Sequence, residues 1–165
     1  MSELKQEKFS PRDAKIIRLN MQQIPWPLLL EADPGRAMVT DYLSEAFTRV
    51  AWIGDDAIGV YALKRLSPIS FELMNISVAE TFQGSGLGRR LLGHAVGLAE
   101  AKGGREVYVG TGNSSFSALR LYQRMGFRIV GLIPDYYTDN YPDPIQEEGI
   151  ACVDMLRLKL TLTPE

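Results

Sequence analysis

The stretch VAETFQGSGLGRRLL, residues 78–92, decides the fold prediction because it joins a strand-like run to an amphipathic helix through three glycines in five residues. Glycine is favoured where the chain makes a strained turn, or where a ligand approaches the backbone too closely for a Cβ. The first N–H groups of a helix lack internal partners, and the helix dipole adds about half a positive charge there. The stretch therefore predicts a loop that binds phosphate at a helix start, with Arg89 and Arg90 nearby.

The segments on both sides of this loop predict alternating strands and helices. Strands are predicted at residues 14–19, on both sides of a turn at 54–56, and at 70–78, 106–111, 127–133 and 152–160. Helices are predicted from Asp33-Pro34 to residue 47, from residue 87 to the glycines at 103–104, and over 115–126. Residues 134–149, rich in Pro, Tyr and Asp, are predicted to form a long loop or insertion. This order favours an α/β fold with a mixed sheet and helices on its faces.

Composition narrows the class of protein. The 165 residues suit one domain, residues 1–165, and the formal net charge of −2 gives no electrostatic footprint for nucleic acid or an anionic membrane. The single cysteine, Cys152, excludes an internal disulfide and a cysteine-based metal cluster, so we expect no metal. The N-terminus has no apolar leader segment, which favours a cytoplasmic protein. A small-molecule partner is therefore expected.

Two common phosphate motifs do not fit the glycine loop. A Walker loop requires Gly-Lys-Ser/Thr, whereas Arg89 and Arg90 follow the last glycine. A dinucleotide fingerprint requires Gly or Ala three residues after Gly86, where Arg89 stands. A tight turn that needs glycine only for packing is the remaining structural alternative.

The pattern Gln-x-x-Gly-x-Gly at Gln83, Gly86 and Gly88 resembles the GCN5-related N-acetyltransferase (GNAT) family. Residues 118–127, ALRLYQRMGF, resemble a second motif of that family at the expected distance downstream. The resemblance covers about residues 14–160. It implies a single mixed, mostly antiparallel seven-stranded sheet flanked by helices. It also implies that acetyl-CoA binds where the fourth strand meets the glycine loop.

The resemblance implies roles for particular residues. Glu72, on the fourth strand, would accept the amine proton directly or through water, and Tyr122 would protonate the departing thiolate. A structural carboxylate is the alternative for Glu72, and core packing is the alternative for Tyr122. The alternation of side chains along a strand predicts that Glu72, Met74, Ile76 and Val78 share one face. The implied acetyl-CoA contacts are Ile76, Ser77, Val78, Gln83, Gly84, Ser85, Gly86, Leu87, Gly88, Arg89 and Tyr122.

Three further positions carry more specific expectations. The family often has an asparagine at the position of Ser115, so Ser115 is carried over as a cofactor contact and Asn113 is offered as a substitute. His94 has the helical spacing of a residue packed between helix and sheet, so a structural role is expected. Cys152, at the start of the last predicted strand, is expected to be a small buried side chain.

The segment 134–149 is expected to border the acceptor. It carries five acidic residues and no Lys or Arg, which favours a cationic amine. Tyr136 and Tyr137 resemble the paired tyrosines of protein N-terminal acetyltransferases, and Asp139 is a candidate contact for the amine. The sequence thus predicts an acetyl-CoA-dependent N-acetyltransferase that acts on a peptide or small-molecule primary amine, with a homodimer as one option for its assembly. A non-catalytic acyl-CoA sensor and a protein-interaction domain are the alternatives.

Overall fold

A computed structural model describes residues 10–163. A central sheet of seven strands has the order β1-β2-β3-β4-β5-β9-β6, in which only the β4–β5 pair is parallel. Its strands are β1 Lys15–Arg18, β2 Phe47–Ile53, β3 Asp56–Arg65, β4 Ser70–Val78, β5 Glu106–Gly112, β6 Arg128–Ile133 and β9 Met155–Thr161, while β7 Gln146–Glu147 and β8 Ile150–Ala151 form a separate hairpin. The helices are α1 Trp26–Ala32, α2 Arg36–Leu43, α3 Leu87–Ala101, α4 Phe116–Arg124 and α5 Tyr136–Asn140. The mixed, mostly antiparallel sheet agrees with the prediction.

Two hydrophobic clusters cover opposite faces of the sheet. The amphipathic helix α3 packs the buried Leu87, Leu91 and Leu92 on one face, together with Tyr122 of α4. On the other face, Leu29 of α1 and Val39 of α2 pack over β2 and β3. The helices α1 and α2 thus flank β4 on one side, and α3 and α4 flank it on the other.

The predicted helix at residues 33–47 was wrong at both ends, since α2 ends at Leu43 and Phe47 begins β2. A separate helix, α1, precedes α2 and ends at Ala32, and the N–H of its C-cap residue Asp33 donates to the carbonyl of Leu29. The Asp33 carboxylate then accepts the N–H of Gly35 at 3.0 Å, and α2 begins only at Arg36. Because the carboxylate satisfies the backbone of this turn, Asp33-Pro34 connects two helices instead of opening one.

Two predictions near the C-terminus also need correction. Residues 134–149 are not a plain loop, because they contain α5 and the first strand of the β7–β8 hairpin. The last strand begins at Met155, so Cys152 precedes it. Cys152 is nevertheless buried, with 5% of its surface exposed, as expected.

A β-bulge in β4 changes the predicted face of its residues. Ala62 of β3 pairs with Asn75 and Leu63 pairs with Leu73, so Met74 has no partner of its own. Consequently Ile76 packs on the α3 side of the sheet, whereas Met74 packs on the α1 side. The prediction that Glu72, Met74, Ile76 and Val78 share one face was wrong.

The strands β4 and β5 separate halfway along their length. Their parallel pairing runs from Ser70 and Glu106 to Leu73 and Val109, and no further. Yet β4 continues to Val78 and β5 to Gly112. This divergence opens the sheet between the two strands.

Candidate active site

A cavity of about 770 Å³ lies in the opening between β4 and β5. Its floor and walls come from both strands, from the turn between α1 and α2, from α4 and from the segment around the β7–β8 hairpin. Lining residues include Glu31, Pro34, Met74, Ile76, Ser77, Val78, Gln83, Thr111, Ser115, Tyr122, Tyr137, Tyr141, Glu147 and Cys152. Of the residues predicted to contact the cofactor, this list includes Ile76, Ser77, Val78, Gln83, Ser115 and Tyr122.

The backbone of β4 presents hydrogen-bonding groups to this cavity. Successive strand residues direct their N–H and C=O groups to opposite neighbours. Because the N–H of Ala79 donates to Ile58 of β3 at 2.8 Å, the N–H groups of Val78 and Ile76 lie on the β5 side. There β5 has diverged, so these groups border the cavity instead of pairing with a strand.

The glycine loop has the open backbone that the sequence indicated. Gly84 and Gly86 have φ angles of +75° and +92°, which disfavour any residue with a Cβ, and no atom lies within 4 Å of where either Cβ would be. Gly88 instead lies in the first turn of α3, where an added Cβ would meet Leu121 and Val78 at ordinary contact distance. The Gln83 amide donates to the Val78 carbonyl at 3.1 Å and the Ser85 hydroxyl to the Phe82 carbonyl, so both side chains shape the loop.

Helix α3 begins at Leu87 with its amino end open. Gly86 is its N-cap, and no side chain caps it among the described residues. Arg90 is the first residue whose N–H bonds along the helix, to Gly86 at 3.1 Å. The Arg90 side chain is turned away, because its guanidinium donates to the carbonyls of Pro11 and Ala14. The exposed Arg89 is therefore the nearer candidate for a phosphate contact.

Tyr122 lies on α4 with only 4% of its surface exposed, and it lines the cavity. Its ring packs against Phe127 with the ring centres 5.8 Å apart. Burial raises the pKa of the phenol well above its ordinary value, so the hydroxyl keeps its proton at neutral pH. A buried, protonated hydroxyl beside the cavity is suited to donate a proton or a hydrogen bond.

The two polar residues before α4 differ in their surroundings. Ser115 lines the cavity and donates to the Glu147 carboxylate at 2.8 Å. The Asn113 amide donates to the Ala151 carbonyl, and its oxygen accepts the N–H groups of Val153 and Asp154. This geometry favours a structural role for Asn113 over the cofactor contact that we expected.

Glu72 lies on β4 just before the bulge at Met74, outside the cavity lining. Its carboxylate is paired with the Arg157 guanidinium of β9, and the two side chains are 18% and 25% exposed. It does not line the cavity itself, but its neighbours Leu73 and Met74 do. The guanidinium of Arg157 also lies 5.4 Å from the ring centre of Tyr108.

The predicted acceptor residues occupy different surroundings. Tyr137 lines the cavity, and its ring contacts Tyr136 edge-on at 5.1 Å between centres. Burial, followed by the charges of Asp33 and Glu72, raises the pKa of Tyr136. Asp139, near the end of α5, is exposed and does not line the cavity. The structure therefore brings Tyr137, but not Asp139, into the cavity wall.

Residues 17–127 match the sequence profile of the acetyltransferase (GNAT) family. The chain belongs to this family. It is similar to an uncharacterized N-acetyltransferase, YvbK, of Bacillus subtilis, with 42% identity over 137 residues that cover 83% of this chain and 88% of that protein.

Two solved structures resemble this acetyltransferase over nearly its whole described length. One is a GNAT family acetyltransferase from Elizabethkingia anophelis with acetyl-CoA bound, with a TM-score of 0.88, 38% identity, and coverage of 91% of this chain and 99% of that one. The other is an IAA acetyltransferase from Bacillus cereus, with a TM-score of 0.87, 46% identity, and coverage of 90% and 99%. The predicted family and fold are thus confirmed.

The remaining features of the described residues concern a metal site, a membrane-spanning helix and the surroundings of His94. Within residues 10–163, no group of three or more His, Cys, Asp or Glu side chains is arranged to hold a metal ion. The described helices include none long and apolar enough to cross a bilayer. His94 bonds through Nδ1 to the hydroxyl of the fully buried Tyr61 at 2.7 Å, although the imidazole itself is exposed.

The sequence singled out neither Asp33 nor Tyr141 as a residue of the site, and it indicated Glu147 only as one of the five acidic residues of segment 134–149. Tyr141 and Glu147 line the cavity, and Asp33 bonds to Tyr141 across 108 positions of sequence. No short motif links such distant residues. The only signal was the concentration of tyrosine and acidic residues in segment 134–149.

Proposed function

We propose that this acetyltransferase transfers the acetyl group of acetyl-CoA to a primary amine by direct attack within a ternary complex. The observation that carries the proposal is the divergence of β4 from β5 beyond Leu73. It leaves the backbone N–H groups of Ile76 and Val78 beside a cavity that Tyr122 also lines. The acetyl-CoA in the Elizabethkingia anophelis structure supports the choice of donor.

The residues around the cavity fit the chemical parts of acetyl-CoA. The uncapped start of α3 and the glycine loop offer N–H groups to the pyrophosphate, and Arg89 adds a positive charge. The N–H groups of Ile76 and Val78 offer bonds to the pantetheine amides and to the thioester oxygen. Gly84, Ser85, Leu87 and Gly88 belong to the same proposed contact surface, and Ser77 and Ser115 border the cavity.

The proposed reaction requires two proton transfers. After the ammonium of the acceptor has lost one proton to solvent, the neutral amine nitrogen attacks the thioester carbonyl carbon, and the C–S bond then breaks to release the CoA thiolate. Tyr122 donates its proton to that thiolate, because burial keeps the phenol protonated. Glu72 accepts the proton that the amine loses, and a water must relay it because Glu72 does not line the cavity.

We propose a primary amine that arrives as a cation. The cavity lining includes Glu147 and Glu148 of segment 134–149 and Glu31 of α1. Three carboxylates around one cavity favour a positively charged acceptor, and salt weakens that attraction. Tyr136 and Tyr137 remain candidates for holding the acceptor, and Asp139 remains a candidate for attracting it from the surface.

A CoA-release assay over a panel of amines tests this function. The panel contains amino-acid amides, short peptides with the same N-terminal residues, polyamines and aminoglycosides. We expect release of CoA that depends on one class of amine and increases with pH as that amine loses its proton. Binding of acetyl-CoA without release against any amine would favour the non-catalytic sensor, and absence of binding would favour the interaction domain.

We also propose a homodimer formed through β6. This strand is an edge of the sheet, and its Ile129, Val130 and Leu132 are 51%, 53% and 54% exposed. A second copy of β6 can pair with it antiparallel about a two-fold axis, which covers the same apolar residues on both chains. Light scattering should give twice the chain mass, and Val130→Lys should give the monomer. A monomeric wild type would refute the dimer.

A cytoplasmic location completes the proposal. Its support is the free thiol of the buried Cys152, which suits a reducing compartment.

A further inference from the structure

One hydrogen bond joins the turn between α1 and α2 to the segment after α5, and both segments contribute residues to the cavity lining. The hydroxyl of Tyr141 donates to Asp33 Oδ1 at 2.7 Å. Asp33 lies in the turn between α1 and α2, and its neighbours Ala32 and Pro34 line one wall. Tyr141 follows α5 and also lines the cavity. The bond thus connects two segments that are more than a hundred residues apart in sequence.

The backbone at Gly35 is shaped to admit the tyrosine ring. A Cβ at Gly35 would lie 3.1 Å from Cε1 of Tyr141 and 3.3 Å from Asp33 Oδ1. The φ angle of Gly35 is −81°, which any residue adopts, so the turn itself does not require glycine. The close approach of Tyr141 is the feature that a larger residue would disturb.

Further contacts hold both partners in position. Asp33 Oδ1 also accepts the N–H of Gly35 at 3.0 Å, and Asp33 Oδ2 faces the Tyr42 hydroxyl at 3.4 Å. The Tyr141 ring stacks on Tyr137 with centres 5.8 Å apart. The Tyr42 hydroxyl in turn accepts a bond from the buried Asn75 at the bulge of β4. The connection is therefore part of a network that reaches the strand at the centre of the cavity.

We propose that Asp33 and Tyr141 form a clasp that makes this acetyltransferase selective for a small primary amine over the N-terminus of a peptide or protein. The inference rests on the proposed function and specifies its acceptor class. An extended peptide needs an open groove for several residues beyond its α-amine. Here the turn between α1 and α2 is bonded to the segment after α5, so a chain that continued outward between these walls would have to break the clasp.

Conjugates that join CoA through an acetyl bridge to an acceptor amine test the clasp by binding, without requiring turnover. One conjugate carries alanine amide, and the other carries a hexapeptide amide that begins with alanine. For the wild type we expect the short conjugate to bind about tenfold more tightly, because the long one must displace a hydrogen bond to a carboxylate. Isothermal calorimetry measures both dissociation constants.

Three variants weaken the clasp in different ways. Tyr141→Phe removes only the hydroxyl, Asp33→Asn removes the charge, and Gly35→Ala presses on the ring. Each should reduce the preference for the short conjugate from about tenfold to about twofold or less. Asp41→Asn, an exposed charge change on α2, is the matched control and should leave the preference unchanged.

Several outcomes would overturn the clasp. One is tighter binding of the hexapeptide conjugate by the wild type. A second is an equal loss of affinity for both conjugates in all three variants, and a third is an affinity for both conjugates that is no higher than the affinity for CoA alone. The proposed function is judged separately by CoA release. If the protein discriminates between the conjugates but acetylates no amine, the clasp proposal stands and the proposed enzymatic function is refuted.

Discussion

The cavity has a donor half, proposed to hold acetyl-CoA, and an acceptor half, proposed to hold the amine, and the sequence specifies the two in different ways. The donor half, around the glycine loop and α3, follows from short motifs whose residues are neighbours in sequence, such as Gln83, Gly86 and Gly88. The acceptor half depends on contacts between distant segments, such as Asp33 with Tyr141 and Ser115 with Glu147. Local backbone requirements can therefore be recognised in one sequence, whereas a wall built from two remote segments cannot.

This difference also separates general chemistry from specificity. The open helix end and the diverging strand provide backbone groups, so the donor half depends little on side-chain identity beyond glycine. The acceptor half is made largely of side chains, including Tyr137, Tyr141 and several carboxylates. We expect substitutions in the donor half to affect all acceptors alike and substitutions in the acceptor half to change their ranking.

The largest effect is expected at the boundary between the halves, for Tyr122→Phe. Removal of the hydroxyl should lower kcat by about 10²–10⁴-fold and leave the affinity for acetyl-CoA nearly unchanged, because the ring still packs on Phe127. Steady-state kinetics measure both. Tyr61→Phe, a second buried tyrosine that does not line the cavity, is the matched control. A kcat within about twofold of wild type would assign Tyr122 to core packing alone.

Glu72→Gln should lower kcat/KM by about 10²-fold if Glu72 receives the amine proton. Its pair with Arg157 provides the comparison, because Arg157→Gln breaks the same ion pair but keeps the carboxylate. We expect both variants to lose similar thermal stability, while only Glu72→Gln loses most of the activity. Equal losses of activity in the two variants would indicate a structural ion pair.

Gly86→Val tests the donor half alone. In the wild type, acetyl-CoA at a hundred times its dissociation constant should stabilise the fold by about 2.7 kcal/mol. For a chain of this size, that corresponds to a rise in Tm of about 5–11 °C. Valine at the left-handed φ of +92° should distort the loop and abolish this rise.

The turn between β2 and β3, which contains Gly54, offers a matched control for Gly86→Val. Gly54→Val also places valine at a positive φ, +56°, with open space around it. It should lower the Tm of the free protein but preserve the rise with acetyl-CoA. Loss of the rise in both variants would mean that strain, not the site, causes the effect.

Particular residues explain how far the sequence could predict the structure. The spacing of Leu87, Leu91 and Leu92 identified α3 because those residues share one face of a helix. The bulge at Met74 could not be predicted, since the alternating pattern of β4 continues through it and only the pairing with β3 reveals it. Helix α1 was missed because its seven residues begin among prolines and have no capping side chain.

The smallest expected effect concerns His94, which lies on α3 outside the cavity. Burial, together with the charges of Arg49 and Arg90, lowers the pKa of His94 below its ordinary value of 6.5. The imidazole therefore binds a proton more readily in the unfolded chain than in the folded one. As a result, the contribution of His94 to the free energy of unfolding is complete above about pH 6.5 and decreases as the pH falls below that value. Burial raises the pKa of Tyr61 to about 12, so the Tyr61 hydroxyl beside Nδ1 keeps its own proton throughout this range. When the pH is lowered from 7.5 to 5.5, the Tm of the wild type should fall further than the Tm of His94→Gln. The difference between the two falls should be less than about 4 °C. Parallel Tm curves for the two proteins would contradict the prediction and leave the bond to Tyr61 without influence on pH stability.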